Sequence, residues 1–495
     1  MTAWQKFCFK FVSFFKSIPL LFLNFFKIKI PNAVKRVGRG FKNFGLTFYN
    51  AARHGDWKTR MSFVVFGFSQ FARKQWLRGL LFLAFEVMFI LYISLFGWQY
   101  LGMLGTLGTH EGNGWEVVDG FKVPVQGDNS LLILLYGLLT VIFILAFVYA
   151  WYCSIKTAYA AQETSEARQK LATAKDDIKS LADGQYHKTL LTVPLVGLTL
   201  FTILPIIFMV FIAFTNYDKA HTPPAHLFTW IGFENFKVVL GGGLTGGSNF
   251  GLTFGRILLW TVVWAFFATF SNYILGIIVA LMINKKGIRC KKLWRTILVM
   301  TIAVPQFVSL LLMSQMLGDT GVINNTLISW GLISKPIHFL TDGTLAKVTV
   351  IIVNIWVGIP YTMLISTGIL MNIPEDLYES ARIDGAGPVK IFFKITMPYM
   401  LHVTAPYLIT QFIGNLNNFN LIFLLTGGNP TLPMGYAPTA GDTDLLITWL
   451  YKLVFNNSQY NVASVISILM FILTAVVSLI VYNRSSAVKN EEDFM

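Results

Sequence analysis

Apolar runs of twenty or more residues recur along this chain, and a run of that length has few homes. A bilayer hydrocarbon core of about 30 Å is crossed by a helix of about 20 apolar residues, which bonds its own backbone groups internally. Eight runs meet that length, near 79–101, 130–152, 189–214, 257–283, 296–317, 345–370, 401–425 and 461–482. Only 13% of the 495 residues are charged and 55% are hydrophobic, where a soluble chain carries about a quarter charged. The expected fold is all-α: a polytopic membrane protein of about eight transmembrane helices.

Basic residues in the loops give the chain a direction, because Lys and Arg near helix ends resist translocation. Residues 1–78 hold fifteen Lys/Arg against one acid, Asp56, and "NKKGIRCKKLWR" holds six against none. Of the loops on the other side, 102–129 offers only Lys122, and 216–255 only Lys219 and Lys237. A multi-pass protein of the cell membrane with both termini cytoplasmic follows, with residues 371–400 inside the cell. The organisation expected is a basic, Phe-rich cytoplasmic or interfacial region over 1–78, two accessory spans and a helical linker over 79–188, a six-span core over 189–485, and a cytoplasmic tail over 486–495. The Phe and Lys mixture "WQKFCFKFVSFFKSIPLLFLNFFKIKIP" suits a helix lying against anionic membrane lipid. Interleaved in this way, the net charge of +15 does not form the polar patch that a nucleic acid would need.

Chemical motifs are missing. There is no phosphate-binding loop, no H-E-x-x-H and no G-x-S-x-G, so no catalytic residue is assigned. Cys8, Cys153 and Cys290 are scattered and the seven His dispersed, and neither a metal nor a cofactor is expected. Glu86, deep in the first run, is the one acid inside an apolar segment; an ion site and a neighbour-paired structural role both remain open.

Between the sixth and seventh runs lies "PEDLYESARIDGAGPVKIFFKITMPYM". Pro374 suits a helix start, with Asn372 expected to cap it, and Glu375, Asp376 and Glu379 favour the positive helix end. The helix "EDLYESARID" is expected to stop at Gly385 in a left-handed turn. A second short helix, "VKIFFKIT", is expected to turn at Met397-Pro398 into the next span. Ser380 and Ala381 leave a small face for close approach. By itself such a segment is either a solvated linker or a device that passes motion from a docked partner to the membrane. Its pattern, Glu379-Ser380-Ala381, three residues, Gly385, nine residues, Ile395-x-Met397-Pro398, resembles the E-A-A-x3-G-x9-I-x-L-P loop of ABC importer permeases, with Ser and Met as departures. The resemblance implies that Glu379, Ser380, Ala381, Asp384 and Gly385 couple to a separate ATP-binding subunit, which accounts for the missing phosphate loop.

The likeness extends over 190–485 and points to the carbohydrate branch. "FIAFTNYD", "TWIGFENFKVVL", "AVPQFVSLLL", "VNIWVGIPYTML" and "QFIGNLNNFNLIFLLTGGNP" are similar to the larger permease subunit of maltose and maltodextrin importers. The short loop at 216–255 resembles the Gram-positive versions. A polar seam stands in these helices: Asn354, Gly358 and Tyr361 recur on one face, Asn415 and Asn418 lie three apart, and Gln411 is close by. Pro360 and Gly358 are expected to loosen their helix locally. Amides and aromatic rings suit sugar hydroxyls and sugar faces, while intramembrane Asn and Gln also bond neighbouring helices. The resemblance implies sugar contacts at Asn354, Gly358, Tyr361, Asn415 and Asn418; Gln411 stands where the compared subunit has Ser. It further implies a second permease subunit, two ATP-binding subunits and an extracellular sugar-binding protein as partners, with a maltodextrin-type oligosaccharide or another, such as a galacto-oligosaccharide, as substrate. An ion-coupled secondary transporter using Glu86 is the alternative of another class, but no internal duplication supports it.

Overall fold

The computed structural model describes residues 30–482 apart from 113, 119–120, 125–126, 242–243, 246–247 and 286. Cys8, most of the Phe-rich basic stretch and the 486–495 tail lie outside the described residues. The chain divides into two compact units at Trp230/Ile231.

In the first unit, α1 (Ile30–His54) is amphipathic. Its Phe44 stacks on Tyr152 at 4.7 Å and its Phe48 meets Trp151 edge-on at 4.9 Å, while Lys35, Arg39, Lys42 and Arg53 are exposed. Short helices α2 (Trp57–Met61) and α3 (Phe68–Ala72) lead into α4 (Trp76–Met103). Asn129 caps α5 (Ser130–Glu166), accepting from the amides of Leu131 and Leu132. At 37 residues α5 is about 55 Å long, more than a bilayer core. It therefore absorbs the first ten residues of the expected linker, "TAYAAQETSE", whose Ala, Gln and Glu favour helix. A Thr173/Asp176 capping box starts α6 (Ala174–Ala182), and Arg78 Nε donates to Asp177 Oδ2 at 2.8 Å. The unit's third span is α7 (Tyr186–Ile212).

Glu86 has a structural partner. Its Oε2 accepts the Phe66 amide at 2.9 Å, and Ser154 Oγ of α5 accepts that of Gly67 at 3.1 Å. The loop before α3 thus enters the span region with its amides satisfied by side chains, as burial requires. Gly67, at φ +76, comes so near Gly79 that a side chain there would meet the Gly79 carbonyl.

The second unit is built round α9 (Phe250–Asn284) and α13 (Gly343–Leu370). Preceding α9 is α8 (Glu234–Leu240), and between α9 and α13 come α10 (Lys291–Ala303), α11 (Gln306–Leu317) and α12 (Val322–Ser329). After them run α14 (Glu375–Ile383), α15 (Pro388–Leu416), α16 (Phe419–Leu425), α17 (Leu446–Phe455) and α18 (Tyr460–Tyr482). Gly276 lets α9 and α13 touch, since a Cβ there would lie 2.5 Å from Thr362 Cβ; small residues permit such approach where lipid offers no hydrophobic drive. Trp260, Trp264, Leu310, Val350, Val353, Leu421 and Ile422 form one buried cluster joining α9, α11, α13 and α16. The loop 426–445 is tied down electrostatically. Asp444 is fully buried against Lys452 Nζ at 2.8 Å, and burial pushes its carboxyl up to about 6 against the pull of that ammonium. Asp442 Oδ1 receives Arg256 Nη2 at 2.8 Å and Lys347 Nζ at 3.0 Å.

Among the described residues, six helices are long and apolar enough to cross a membrane alone: α4, α5, α7, α9, α13 and α18. The other two expected spans are bent, by 88° between α10 and α11 and by 42° between α15 and α16, so eight is reached only if each bent pair is one span. Pro305 explains the first bend, because it lacks an N–H and forces Val304 into extended backbone (φ −79, ψ 126). Three expectations are corrected. Pro374 itself precedes the first helical residue of α14, with no side-chain cap from Asn372. Met397-Pro398 makes no turn: the helix runs on from Pro388 through a wide π turn at Phe392–Thr396. Pro360 sits within a continuous α13. Strand is confined, among the described residues, to two short hairpins, Trp115–Val118 with Phe121–Pro124 and Leu244–Thr245 with Ser248–Asn249.

Candidate functional site

The polar residues of α9, α13 and α15 converge on a cavity of about 440 Å³, lined by Asn354, Gly358, Tyr361, Gln411, Asn415 and Asn418, a size within the range of small-molecule sites. All six residues anticipated from the sequence therefore meet in one place. Six further polar lining residues were not anticipated: Thr269, Asn272, Tyr273, Gln306, Thr362 and Tyr407. A smaller adjoining cavity of about 110 Å³ shares Gln306, Val357 and Tyr361 and extends to Trp356.

The amides form a short relay. Asn418 Nδ2 donates to Asn415 Oδ1 at 3.4 Å, and Asn415 Nδ2 donates to Thr269 Oγ1 at 2.9 Å. Asn415 and Asn418 are not on one helix: Asn417 ends α15, and Asn418 caps α16, accepting the Leu421 amide at 3.3 Å. The bend between the helices exposes the Asn415 carbonyl, which accepts Trp264 Nε1 at 3.1 Å. The Asn418 amide donates to the same carbonyl at 3.3 Å, so both of its lone pairs are used at the helix end. Asn354 Nδ2 donates to the Ala268 carbonyl at 3.4 Å. Each amide has four hydrogen-bonding positions, so Asn415 keeps one N–H and one lone pair beyond the bonds to Thr269 and Asn418. Asn417, by contrast, is exposed and bonds the Ile413 carbonyl of its own helix. Tyr361 is 48% exposed, a ring face open beside the amides.

The second candidate region is α14 and its turn. Gly385 has φ +74. The Ala386 amide donates to the Ala381 carbonyl at 2.9 Å, the six-to-one bond of a Schellman ending. Ser380 Oγ donates to the Asp376 carbonyl of its own helix at 2.8 Å. The Tyr378 hydroxyl lies 3.2 Å from that of Thr396, fixing α14 against the π turn. Glu379, Ser380, Asp384 and Gly385 are exposed and Ala381 is half-buried, while Ile383, Val389 and Phe393 leave apolar surface beside them. Both regions share two rods: α13 ends at Leu370, nine residues or roughly 14 Å beyond Tyr361.

Residues 272–487 match the family described as "Binding-protein-dependent transport system inner membrane component". The galactooligosaccharides transport system permease protein GanP of Bacillus subtilis (strain 168) is 33% identical over 430 residues, covering 86% of this chain and 97% of that one. The maltodextrin transport system permease protein MdxF of the same organism is 36% identical over 442 residues, covering 87% and 95%. Among solved structures, a bacterial ABC transporter involved in the import of the acidic polysaccharide alginate matches with TM-score 0.50 and 25% identity, over 62% of this chain and 98% of that one.

Proposed function

The chain belongs to the binding-protein-dependent inner membrane components, the permeases of ABC importers, and on that premise we propose that it forms the sugar path of a maltodextrin-type importer. The observation that carries the substrate class is the cavity, where amides from α9, α11, α13 and α15 surround an open tyrosine ring with no charged residue among those lining it. Neutral oligosaccharides present hydroxyls and apolar ring faces, and this lining answers both. The likeness to MdxF supports the maltodextrin reading, and the likeness to GanP favours galacto-oligosaccharide as a second.

In this reading residues 189–485 are the permease core, both termini are cytoplasmic, and the Phe- and Lys-rich N-terminal stretch rests on anionic lipid. A second permease chain completes the path, an extracellular binding protein delivers sugar, and two ATP-binding subunits hydrolyse ATP, a reaction this chain does not perform. The α14 helix, with Glu379, Ser380, Ala381, Asp384 and Gly385, seats in a groove of one of them. When ATP draws those subunits together, α14 moves with its groove, α13 and α15 follow as rods, and the cavity changes the side to which it opens. Glu86, engaged with the Phe66 amide, serves packing rather than ion coupling.

The test is uptake in proteoliposomes carrying this chain with its partner permease, ATP-binding subunits and binding protein. Maltotriose should enter only with internal ATP and irrespective of ion gradients. Uptake driven by a proton or sodium gradient without ATP refutes the reading; a β-galactotriose entering in preference to maltotriose selects the second substrate.

A further inference from the structure

Asn272 lies on α9 one turn beyond Thr269 and lines the large cavity. Its Oδ1 is buried, yet it has no hydrogen-bond partner among the described residues. Buried acceptors are costly to leave unpaired, and the residue that carries this one lines the cavity on which Asn354, Asn415 and Asn418 converge. Those three bond protein neighbours; Asn272 Oδ1 does not, so interhelical bonding leaves it unexplained.

The same side chain explains a glycine. A Cβ built on Gly358 would fall 2.2 Å from Asn272 Nδ2 and 2.6 Å from its Cγ. The amide of α9 occupies the volume that a side chain at 358 on α13 would take. Asn272 is thereby held against a flat patch of backbone.

We propose that Asn272 is a sugar-binding residue, its Oδ1 accepting a hydroxyl hydrogen, and that position 358 is glycine to seat that amide rather than to touch the sugar. This rests on the sugar-path reading. It shifts the role expected for Gly358 from contact to support, and adds an acceptor to a cavity where Asn354 and Asn415 donate their amide hydrogens to protein oxygens. A site that pairs a substrate hydroxyl rejects analogues lacking it far more strongly than an apolar pocket rejects a missing methylene, so Asn272 sets which hydroxyl is required.

Reconstituted importer carrying Asn272→Leu, Asn272→Ala, Gly358→Ala, the double Asn272→Ala/Gly358→Ala, or Asn415→Ala tests this with labelled maltotriose and β-galactotriose. Complex assembly is followed by size-exclusion chromatography. Asn272→Leu, close to isosteric, is expected to raise KM about 10- to 100-fold for the sugar that the wild type imports, in assembled complex. Gly358→Ala should lose uptake comparably, and the double variant should behave like Asn272→Ala alone. Deoxy-sugars lacking one hydroxyl should discriminate between wild type and Asn272→Leu at a single position. A wild-type KM for Asn272→Leu alongside a damaged Asn415→Ala overturns the proposal and leaves the sugar path standing; wild-type KM in both overturns the sugar path itself. Additive losses in the double variant would return Gly358 to direct contact. Failure of both Asn272 variants to assemble would make the residue structural.

Discussion

Asn415 keeps spare hydrogen-bonding capacity in a buried setting, and that surplus separates a ligand group from a helix tie. Losing one such group leaves partners unmatched at about 1–3 kcal/mol, roughly 5- to 150-fold in affinity. Asn415→Ala and Tyr361→Ala are expected to depress uptake by that factor in assembled complex; collapse of assembly in step with uptake would mark them as glue. Asn417→Ala removes only an exposed bond within its own helix, so a change of about twofold or less is expected. The acids of the loop 426–445 respond to pH in opposite senses. For Asp442, burial raises the carboxyl, but Lys347 and Arg256 more than offset it and hold it below the usual range. Its stabilisation is thus present above about pH 4 and is lost as pH falls through the lowered value. Asp444, pushed up to about 6, withdraws stability as pH rises from about 4 to about 6. Asp442→Asn should lower unfolding stability at pH 7 by about 1 kcal/mol, discounted because Arg256 is 40% exposed. Melting curves of the two proteins should converge below about pH 4; a constant gap would assign the loss to packing. At this scale the six seam residues were legible because amides and a gapped face are rare in apolar helices. Asn272 was not, because no second amide accompanies it on its own helix face, and its meaning depends on a glycine 86 residues away in sequence.

Helix α14 is the element to which the proposed function assigns coupling. At Gly385 a Cβ would meet nothing within 4 Å, so a substitution there is penalised by backbone conformation alone, about 1–2 kcal/mol and more for a β-branched residue. Gly385→Val is expected to weaken association with the ATP-binding subunit while the chain still inserts in the membrane; Gly385→Asn, which tolerates positive φ, should retain most of it. Glu379→Lys, on an exposed face, should impair transport with less effect on insertion. Pull-down of the ATP-binding subunit reads all three, and wild-type binding by Gly385→Val would reduce the segment to a connector. The turn at Gly385 was legible from its sequence because glycine adopts that left-handed conformation without a side-chain penalty. The cap at Asn372 and the turn at Met397-Pro398 were misplaced for a shared reason. A proline at a helix start is compatible with the helix, so Pro374 opens α14 unaided, while Pro398 is carried inside α15 directly after the π turn at Phe392–Thr396.

Over the whole molecule, hydropathy located the eight apolar segments, of which six are single helices long enough to cross and two are bent pairs. A window of apolar residues counts the same whether its axis is straight or bent by 88° at Pro305, and Pro305 was read as part of a run. Orientation rests on charge, and two thiol positions test it. Cys290 is free and exposed in the basic loop, and Ser334 is exposed in the loop between α12 and α13. With Cys8 and Cys153 replaced by Ser, Cys290 should react with an impermeant maleimide only from the cytoplasmic side. Ser334→Cys in a Cys290→Ser background should react only from outside. Reaction of both from one face would overturn the crossing order.

The π turn at Phe392–Thr396 has a rotational consequence. Successive α-helical residues step about 100° round the axis, so one residue too many in a turn sets the segment before it about a quarter-circle off the segment after it. The azimuth at which Lys390 and Ile391 leave the elbow is therefore offset from the azimuth at which Gln411 and Asn415 look into the cavity. Tightening that turn to α geometry would twist one end of α15 against the other with little change in its length. In the proposed coupling, a rod with such a turn would deliver torsion as well as displacement.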